Sequence, residues 1–220
     1  MLKKKKFRYV WHYPGFGGWT AIFFGFLYVP IFVLVCYSFN SSKFAMIWTG
    51  FSLKWYEKVF SNDDILQATF NSLIVASSSA PIATAIATIS AIVIVRGGNF
   101  KGEEFNSGLI SLPLMVPEIV TAVATLIFFA TLGINLGLIN VIIAHTVFCI
   151  PFAYMPIKAA LETMDPNLEI ASRDLYSDRV AAFRYITLPL LMPGILSGFM
   201  LAFVISTDDF IITLMVAGGG

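Results

Sequence analysis

"IVTAVATLIFFATLGINLGLINVIIAHTVFCIPFAYMPI", residues 119–157, contains no charged side chain and decides the fold class. A helix that crosses a bilayer needs about 20 mostly apolar residues, so this stretch is too long for one crossing. Its middle, "LGINLG" (132–137), supplies glycines and an asparagine, which favour a break between helices. The stretch therefore predicts two spanning helices, from about Phe105 to Thr131 and from about Leu138 to Ile157.

Three further apolar runs lie outside this stretch. They predict helices over Gly17–Phe39, about Asn71–Val95 and about Leu188–Thr207. Of the 220 residues, 58% are hydrophobic and 12% are charged, and the mean hydropathy is +0.82. A soluble domain usually carries about twice that charged fraction. We therefore predict an all-α, polytopic membrane helical bundle with five spanning helices.

The basic residues indicate the orientation of the chain. Residues 1–16, 96–104 and 158–187 together hold 11 of the 14 Lys and Arg side chains. Because basic residues accumulate in cytoplasmic segments, we predict a cytoplasmic N-terminal tail (1–16) followed by a transmembrane domain (17–220). The alternative, a cleavable signal peptide, is disfavoured because the apolar run is too long and no small-residue cleavage site follows.

The sequence lacks the motifs of several enzyme classes. It contains no G-x-x-x-x-G-K-[ST], no H-E-x-x-H and no G-x-S-x-G. His145 and Cys149 lie four residues apart on a predicted helix, but two ligands are too few for a metal site. Packing or a hydrogen bond between helices is the preferred interpretation of the two. We predict no catalytic residues, metal, cofactor or nucleic-acid partner.

Three acidic residues stand in apolar surroundings: Glu118, Asp208 and Asp209. An acid inside a membrane costs about 2.5–3.5 kcal/mol on insertion scales and is a functional candidate by default. Glu118 directly follows Pro117, and its alternative role is to cap a helix that restarts there. A broken helix that lines a cavity would satisfy both interpretations.

The two neighbouring aspartates also have a structural alternative. Ser206, Thr207 or Asp208 could cap a short helix over "DFIITLMV" (209–216). One cap explains only one of the two acids. Neighbouring carboxylates repel each other unless a cation lies between them. We therefore expect at least one of the two aspartates to face a cation.

Residues 158–187 form the longest polar segment on the predicted cytoplasmic side. Pro166 favours a helix start, and Ser177 and Asp178 favour a second short helix, "RVAAFRYI" (179–186). Such a helix pair is typical of a docking surface for a partner protein. The alternative is a plain connector that lies on the lipid headgroups.

"EIASRDLYSDRVAAFRYITLPLLMPGI" (169–195) resembles the EAA loop of binding-protein-dependent ABC transporter permeases. Glu169, Ala171, Leu188 and Pro189 match that pattern, with Ile186, and Tyr176 stands where the family normally has glycine. The resemblance implies that this loop couples to an ATPase. It assigns the coupling role to Glu169, Ala171, Arg173, Asp174, Tyr176, Leu188 and Pro189.

Further stretches extend the resemblance to the second permease subunit of spermidine/putrescine importers: "YVPIFVLVCYSFNSSKF", "WTGFSLKWYEKVF", "LPLMVPEIVTA" and "STDDF". This implies a MetI-like core of six helices in the bacterial inner membrane, so a last helix is expected beyond "MVAGGG". It also implies a sister permease, two copies of an ATPase subunit that hydrolyses ATP, a periplasmic substrate-binding protein and a polyamine substrate.

A polyamine carries several ammonium groups, which carboxylates offset and aromatic rings contact through cation–π interactions. Trp48 could offer such a ring at the outer mouth, and its alternative role is that of an interfacial aromatic residue. The candidate substrate-pathway residues are Glu118, Asp208, Asp209, Ser206 and Trp48. Two other functions stay open: the same fold carrying another small solute, and a membrane scaffold without a pathway.

Overall fold

The computed structural model describes residues 15–44, 46–98, 101–174 and 178–218, without the side chains of 172–174 and 179. In these residues, every regular element longer than a single residue is a helix. The helices are α1 (Phe16–Ser38), α2 (Lys54–Phe60), α3 (Asp63–Arg96), α4 (Glu103–Ser111), α5 (Glu118–Thr131), α6 (Leu138–Thr163), α7 (Asn167–Asp174), α8 (Arg179–Ala182), α9 (Leu188–Asp208) and α10 (Ile211–Val216). The chain divides into two compact units, one ending at Leu66 and one beginning at Gln67.

Four of the described helices are long and apolar enough to cross a membrane: Phe16–Ser38, Asp63–Arg96, Leu138–Thr163 and Val180–Asp208. A fifth crossing is formed if the bent pair Glu103–Leu114 and Glu118–Thr131 counts as one. The all-α polytopic fold is therefore confirmed. The count of four or five candidate spans agrees with the five spanning helices predicted from the sequence.

The prediction of one continuous helix from about Phe105 to Thr131 is wrong. The chain bends by 104° between Leu114 and Glu118. Pro117 occupies the break with an extended backbone (φ −54°, ψ 133°). Proline has no N–H to donate, and its ring disfavours a helical conformation of the residue before it. The helix therefore restarts at Glu118, whose carboxylate is favoured in a first turn.

The predicted break at 132–137 is confirmed. Helix α5 ends at Thr131, and α6 begins at Leu138. Gly133 has φ +67°, a left-handed conformation that suits glycine because it has no Cβ. Two spanning segments are thus separated by a short turn.

Helices α6 and α9 pack closely because α9 presents glycines to α6. A Cβ built on Gly194 would lie 2.6 Å from the Cβ of Ala160, and one on Gly198 would lie 2.7 Å from the carbonyl oxygen of Ala153. Small residues four apart allow helix backbones to approach each other in membranes. Ala202 continues this face of α9 and is fully buried.

Helix α3 contributes a similar row of small residues to the same core. Ala80, Ala83, Ala87 and Ala91 have no exposed surface and belong to one cluster with residues of α6 and α9. The row follows helical spacing, so one face of α3 is buried. This arrangement fixes the C-terminal end of α3, where Arg96 stands, next to the bundle.

The segment 158–187 differs in two ways from the predicted loop with two short helices. Helix α6 continues to Thr163, so the segment begins within a helix. The second predicted helix is not separate, because α8 passes through a π-helical turn (Phe183–Thr187) directly into α9. Pro189 would break a regular α-helical ladder at this place, and a widened π turn accommodates it.

In the N-terminal unit, Asn40 organises the chain between α1 and α2. Its Nδ2 donates to the carbonyl of Ile47 at 2.7 Å, and its Oδ1 accepts the backbone N–H of Thr49 at 2.9 Å. Its own carbonyl accepts the indole N–H of Trp55 at 3.0 Å. Asn40 is only 1% exposed, so its removal would leave buried polar groups without partners.

We expect Asn40→Ala to release the segment between α1 and α2, since each unsatisfied buried group costs about 1–3 kcal/mol. Limited trypsin digestion would then cleave after the exposed Lys43 faster than in the wild-type protein. Asn62→Ala serves as control, because Asn62 Oδ1 accepts a single N–H, that of Ile65. Equal cleavage rates in the Asn40 variant and the wild type would contradict this prediction.

Candidate functional site

Asp209 lies in the short turn between α9 and α10 and caps α10. Its backbone is extended (φ −70°, ψ 121°), and its Oδ1 accepts the backbone N–H of Ile212 at 3.0 Å. The alternative considered from the sequence, that Ser206, Thr207 or Asp208 caps this helix, is therefore wrong. All three belong to α9, which runs one residue further than predicted, and the capping role passes to the next acid.

The carboxyl groups of Glu118 and Asp209 lie close enough for each to act on the charge of the other. Glu118 begins α5, and Asp209 stands two residues before the start of α10. Oδ2 of Asp209 is buried and has no donor among the described residues. Two carboxylates in this position repel unless a proton or a cation is shared between them. The Glu118–Asp209 pair is therefore suited to bind a positively charged group.

A chain of buried hydrogen bonds lies next to the Glu118–Asp209 pair. Ser79 of α3 bonds Ser206 of α9 at 3.0 Å, and Ser206 bonds Nδ1 of His145 on α6 at 2.9 Å. Nε2 of His145 bonds Thr213 of α10 at 2.9 Å. Of the two preferred interpretations of His145, packing or a hydrogen bond between helices, the structure shows the hydrogen bond. The chain joins four helices and fixes α10 beside the acids.

A cavity of about 730 Å³ opens beside these residues within the C-terminal unit. Asp208 and Asp209 line it together with Ser206 and His145. Its other polar lining residues are Gln67, Asn71, Ser72, Thr207 and Thr213. The cavity thus combines two carboxylates with neutral hydrogen-bonding groups, which is a suitable lining for a hydrated cation.

The five predicted pathway residues are placed in different parts of the chain. Asp208 is exposed on the cavity wall, while Asp209 and Ser206 are more buried. Glu118 reaches this group through Asp209. Trp48 belongs to the N-terminal unit, where its ring packs edge-on against Tyr37 at 6.2 Å. Its role at an outer mouth stays a prediction.

The predicted coupling residues lie around the beginning of α9. Ala171 and Pro189 are exposed and Leu188 is partly buried. Arg173 and Asp174 belong to α7, although their side chains are outside the described part of the chain. Tyr176 lies outside the described residues altogether, so its replacement of glycine is not tested.

Glu169 is held within the chain itself. Its Oε1 accepts a hydrogen bond from Nε of Arg96 at 3.1 Å and one from Oγ1 of Thr187 at 3.2 Å. Sequence reasoning missed Arg96, which is 73 residues away along the chain. The sequence indicated Arg96 only as a single basic residue at the very end of a long apolar run. The role of Thr213 as a partner of His145 was missed as well.

Comparisons with known proteins agree with this architecture. Residues 83–220 match the family described as "Binding-protein-dependent transport system inner membrane component". The spermidine/putrescine transport system permease protein PotC of Escherichia coli (strain K12) is 38% identical over 202 residues, 92% of this chain and 76% of that protein. The putrescine transport system permease protein PotI of the same strain is 37% identical, covering 90% and 72%. The PotC homolog of Mycoplasma genitalium is 31% identical, covering 87% and 72%.

Proposed function

Because this chain belongs to the family of binding-protein-dependent transport system inner membrane components, we propose that it is a permease subunit of an ATP-driven importer for polyamines. The observation that carries the choice of substrate is the Glu118–Asp209 pair beside the cavity. Neither acid forms an ion pair with Lys or Arg in the part of the chain that the structure describes. The ammonium group of a substrate supplies the missing positive charge.

The chemistry of a polyamine fits the cavity in two respects. Each ammonium group donates up to three hydrogen bonds, as the lysine side chain does, and carboxylate oxygens accept such bonds strongly. Between its ammonium groups a polyamine is a flexible apolar chain. The hydroxyl and amide groups of Asn71, Ser72 and Gln67 can replace the water around an ammonium group as it moves. One acidic pair and several neutral groups can bind the polyamine in turn, and none of them holds it so tightly that it cannot move on.

The subunit works with partners. It pairs with a sister permease, receives the polyamine from a periplasmic binding protein, and is driven by two copies of an ATPase subunit. None of the residues of α1 is buried within the chain, which leaves this helix to lipid and to the sister permease. Its N-terminus lies in the cytoplasm, as the distribution of Lys and Arg favours. The segment from α7 to α9, with Glu169, then faces the ATPase.

Uptake by the reconstituted complex tests this function. The chain is assembled in proteoliposomes with a sister permease, an ATPase and a binding protein, with ATP on the ATPase side. Labelled spermidine or putrescine should accumulate, and an unlabelled polyamine should compete. A neutral sugar or a zwitterionic amino acid should not compete. An ATPase variant that lacks its P-loop lysine serves as control.

Two outcomes would contradict the proposal. Accumulation of a neutral or anionic solute in preference to polyamines would leave a permease of the same fold with another substrate. An assembled complex that hydrolyses ATP but takes up no tested solute would favour a scaffold subunit.

A further inference from the structure

The guanidinium of Arg96 stands at the C-terminal end of α3 and joins three elements. Its Nε donates to Oε1 of Glu169, an acid in the first turn of α7, at 3.1 Å. One of its terminal nitrogens donates to the backbone carbonyls of Leu161 and Met164, both at 3.1 Å. These carbonyls lie at the end of α6, where the Leu161 carbonyl also accepts the N–H of Met164 at 3.3 Å and Met164 is the C-cap. One side chain therefore caps α6 and holds α7.

The same carboxylate oxygen extends the junction to the beginning of α9. Thr187, the last residue of the π turn, is 4% exposed and donates its Oγ1 to Oε1 of Glu169 at 3.2 Å. Helix α9 begins at the next residue and continues without a break to Asp208. At 1.5 Å per residue this helix spans about 30 Å. Its far end carries Asp209, which pairs with Glu118.

The geometry of the junction matters more than its contribution to stability. The Arg96 and Glu169 side chains are 18% and 26% exposed, and ion pairs near a surface contribute little free energy. The planar guanidinium, however, presents its N–H donors in fixed directions. Here it donates three hydrogen bonds, to Glu169 and to the carbonyls of Leu161 and Met164. Lysine is a compact charge on a flexible stem and cannot reproduce this fork.

We infer that Arg96 is a positioning residue that transmits motion from α7 to α9 and thereby to the acidic pair. This inference rests on the proposed function, in which an ATPase moves α7. With the junction intact, α7 cannot shift without moving Glu169, and Glu169 cannot shift without moving Thr187 at the base of α9. Without Arg96, Glu169 loses a donor that fixes its carboxylate beside Thr187, and α9 follows the motion of α7 less completely.

The test uses the assembled complex and a readout that does not depend on the substrate. Thr207, which lines the cavity at the far end of α9, is replaced by cysteine in a Cys36→Ser background, since Cys149 is buried. The rate of labelling by a hydrophilic maleimide is measured with and without trapped nucleotide. In this parent protein, nucleotide should change the rate by at least about fivefold, a typical allosteric coupling. Adding Arg96→Met, which leaves the Glu169–Thr187 bond between α7 and α9 in place, should reduce the change to less than half while ATP hydrolysis continues.

Two milder variants and one control accompany the test. Arg96→Lys and Thr187→Val should each leave an intermediate response, since each keeps part of the junction. Lys158→Met removes a basic residue whose ion pair with Glu162 (3.8 Å) stays within α6, and it should leave the response unchanged.

The outcomes separate the possible failures. An unchanged response in Arg96→Met would overturn the inference. A nucleotide response absent from the parent protein would overturn it too. Loss of assembly in all three junction variants would assign Arg96 to folding alone, which also overturns it. A normal labelling pattern in a complex that takes up no polyamine would instead count against the proposed substrate.

Discussion

Asp209→Asn is expected to lower polyamine uptake by about tenfold to a hundredfold while the complex still assembles. A hydrogen bond to a charged group contributes about 1.5–3 kcal/mol, and each 1.4 kcal/mol corresponds to a factor of ten. Asparagine keeps the Oδ1 acceptor that caps α10 through the N–H of Ile212, so the helix start is retained. What is lost is the negative charge beside Glu118. Labelled-spermidine uptake, normalised to the amount of assembled complex, measures the effect.

Glu118→Gln should also lower polyamine uptake. The loss of uptake in the double variant should be smaller than the product of the two single losses. The two carboxyl groups are neighbours that are proposed to bind one ammonium group, and neighbouring sites are coupled. Asp208→Asn is the matched comparison, because Asp208 is exposed on the cavity wall. Its effect should be smaller than that of Asp209→Asn. If Asp209→Asn and Glu118→Gln both transported at the wild-type rate, the pathway assignment would be wrong.

Gly198→Val is expected to prevent stable folding, and Gly198→Ala to lower the midpoint of thermal unfolding by about 5–10 °C. The added Cβ would meet the carbonyl oxygen of Ala153 at 2.7 Å and Cδ1 of Ile157 at 3.1 Å. The side chain of Ile157 can move, but the backbone of α6 cannot yield cheaply. The two helices would therefore separate along their closest contact. Thermal unfolding of the purified protein in detergent provides the measurement.

Gly108→Ala is the control for this series. Gly108 lies within α4, and no heavy atom stands within 4 Å of a Cβ built on it. Alanine is a better helix former than glycine by about 1 kcal/mol, so this variant should be neutral or slightly stabilised. Equal midpoints for Gly198→Ala and the wild type would show that α6 and α9 are not packed as described.

The helices that span the membrane could be located from the sequence with good accuracy. Helix α1 (Phe16–Ser38) and the start of α6 at Leu138 lie within one residue of their predicted positions, because an uninterrupted apolar run leaves few alternatives. Helix α3 begins earlier than predicted, at Asp63. Its first-turn acids favour a helix N-terminus, although they end the apolar run. The bend at Pro117 was considered only as an alternative, since a proline can either kink a helix or end it.

The candidate site was only partly predictable. Each acid could be identified from its apolar surroundings, but the pairing of Glu118 with Asp209 depends on the bend before α5 and the turn after α9. Neither feature leaves a periodic signal in the sequence. Glu169 was identified through a resemblance, whereas its internal partner Arg96 is brought to it only by tertiary packing.

The π turn at Phe183–Thr187 has a consequence for how this region changes between related sequences. A π turn corresponds to one residue inserted into an α-helix, and one residue in a regular helix represents about 100° of rotation. Deleting a residue here would restore the α-helical register, and Pro189 would then interrupt the regular hydrogen-bond ladder. The deletion would also rotate everything before the turn by about 100° about the axis of α9. The rotation of the segment proposed to meet the ATPase, relative to the helix that ends at the acidic pair, therefore depends on a single residue of chain length.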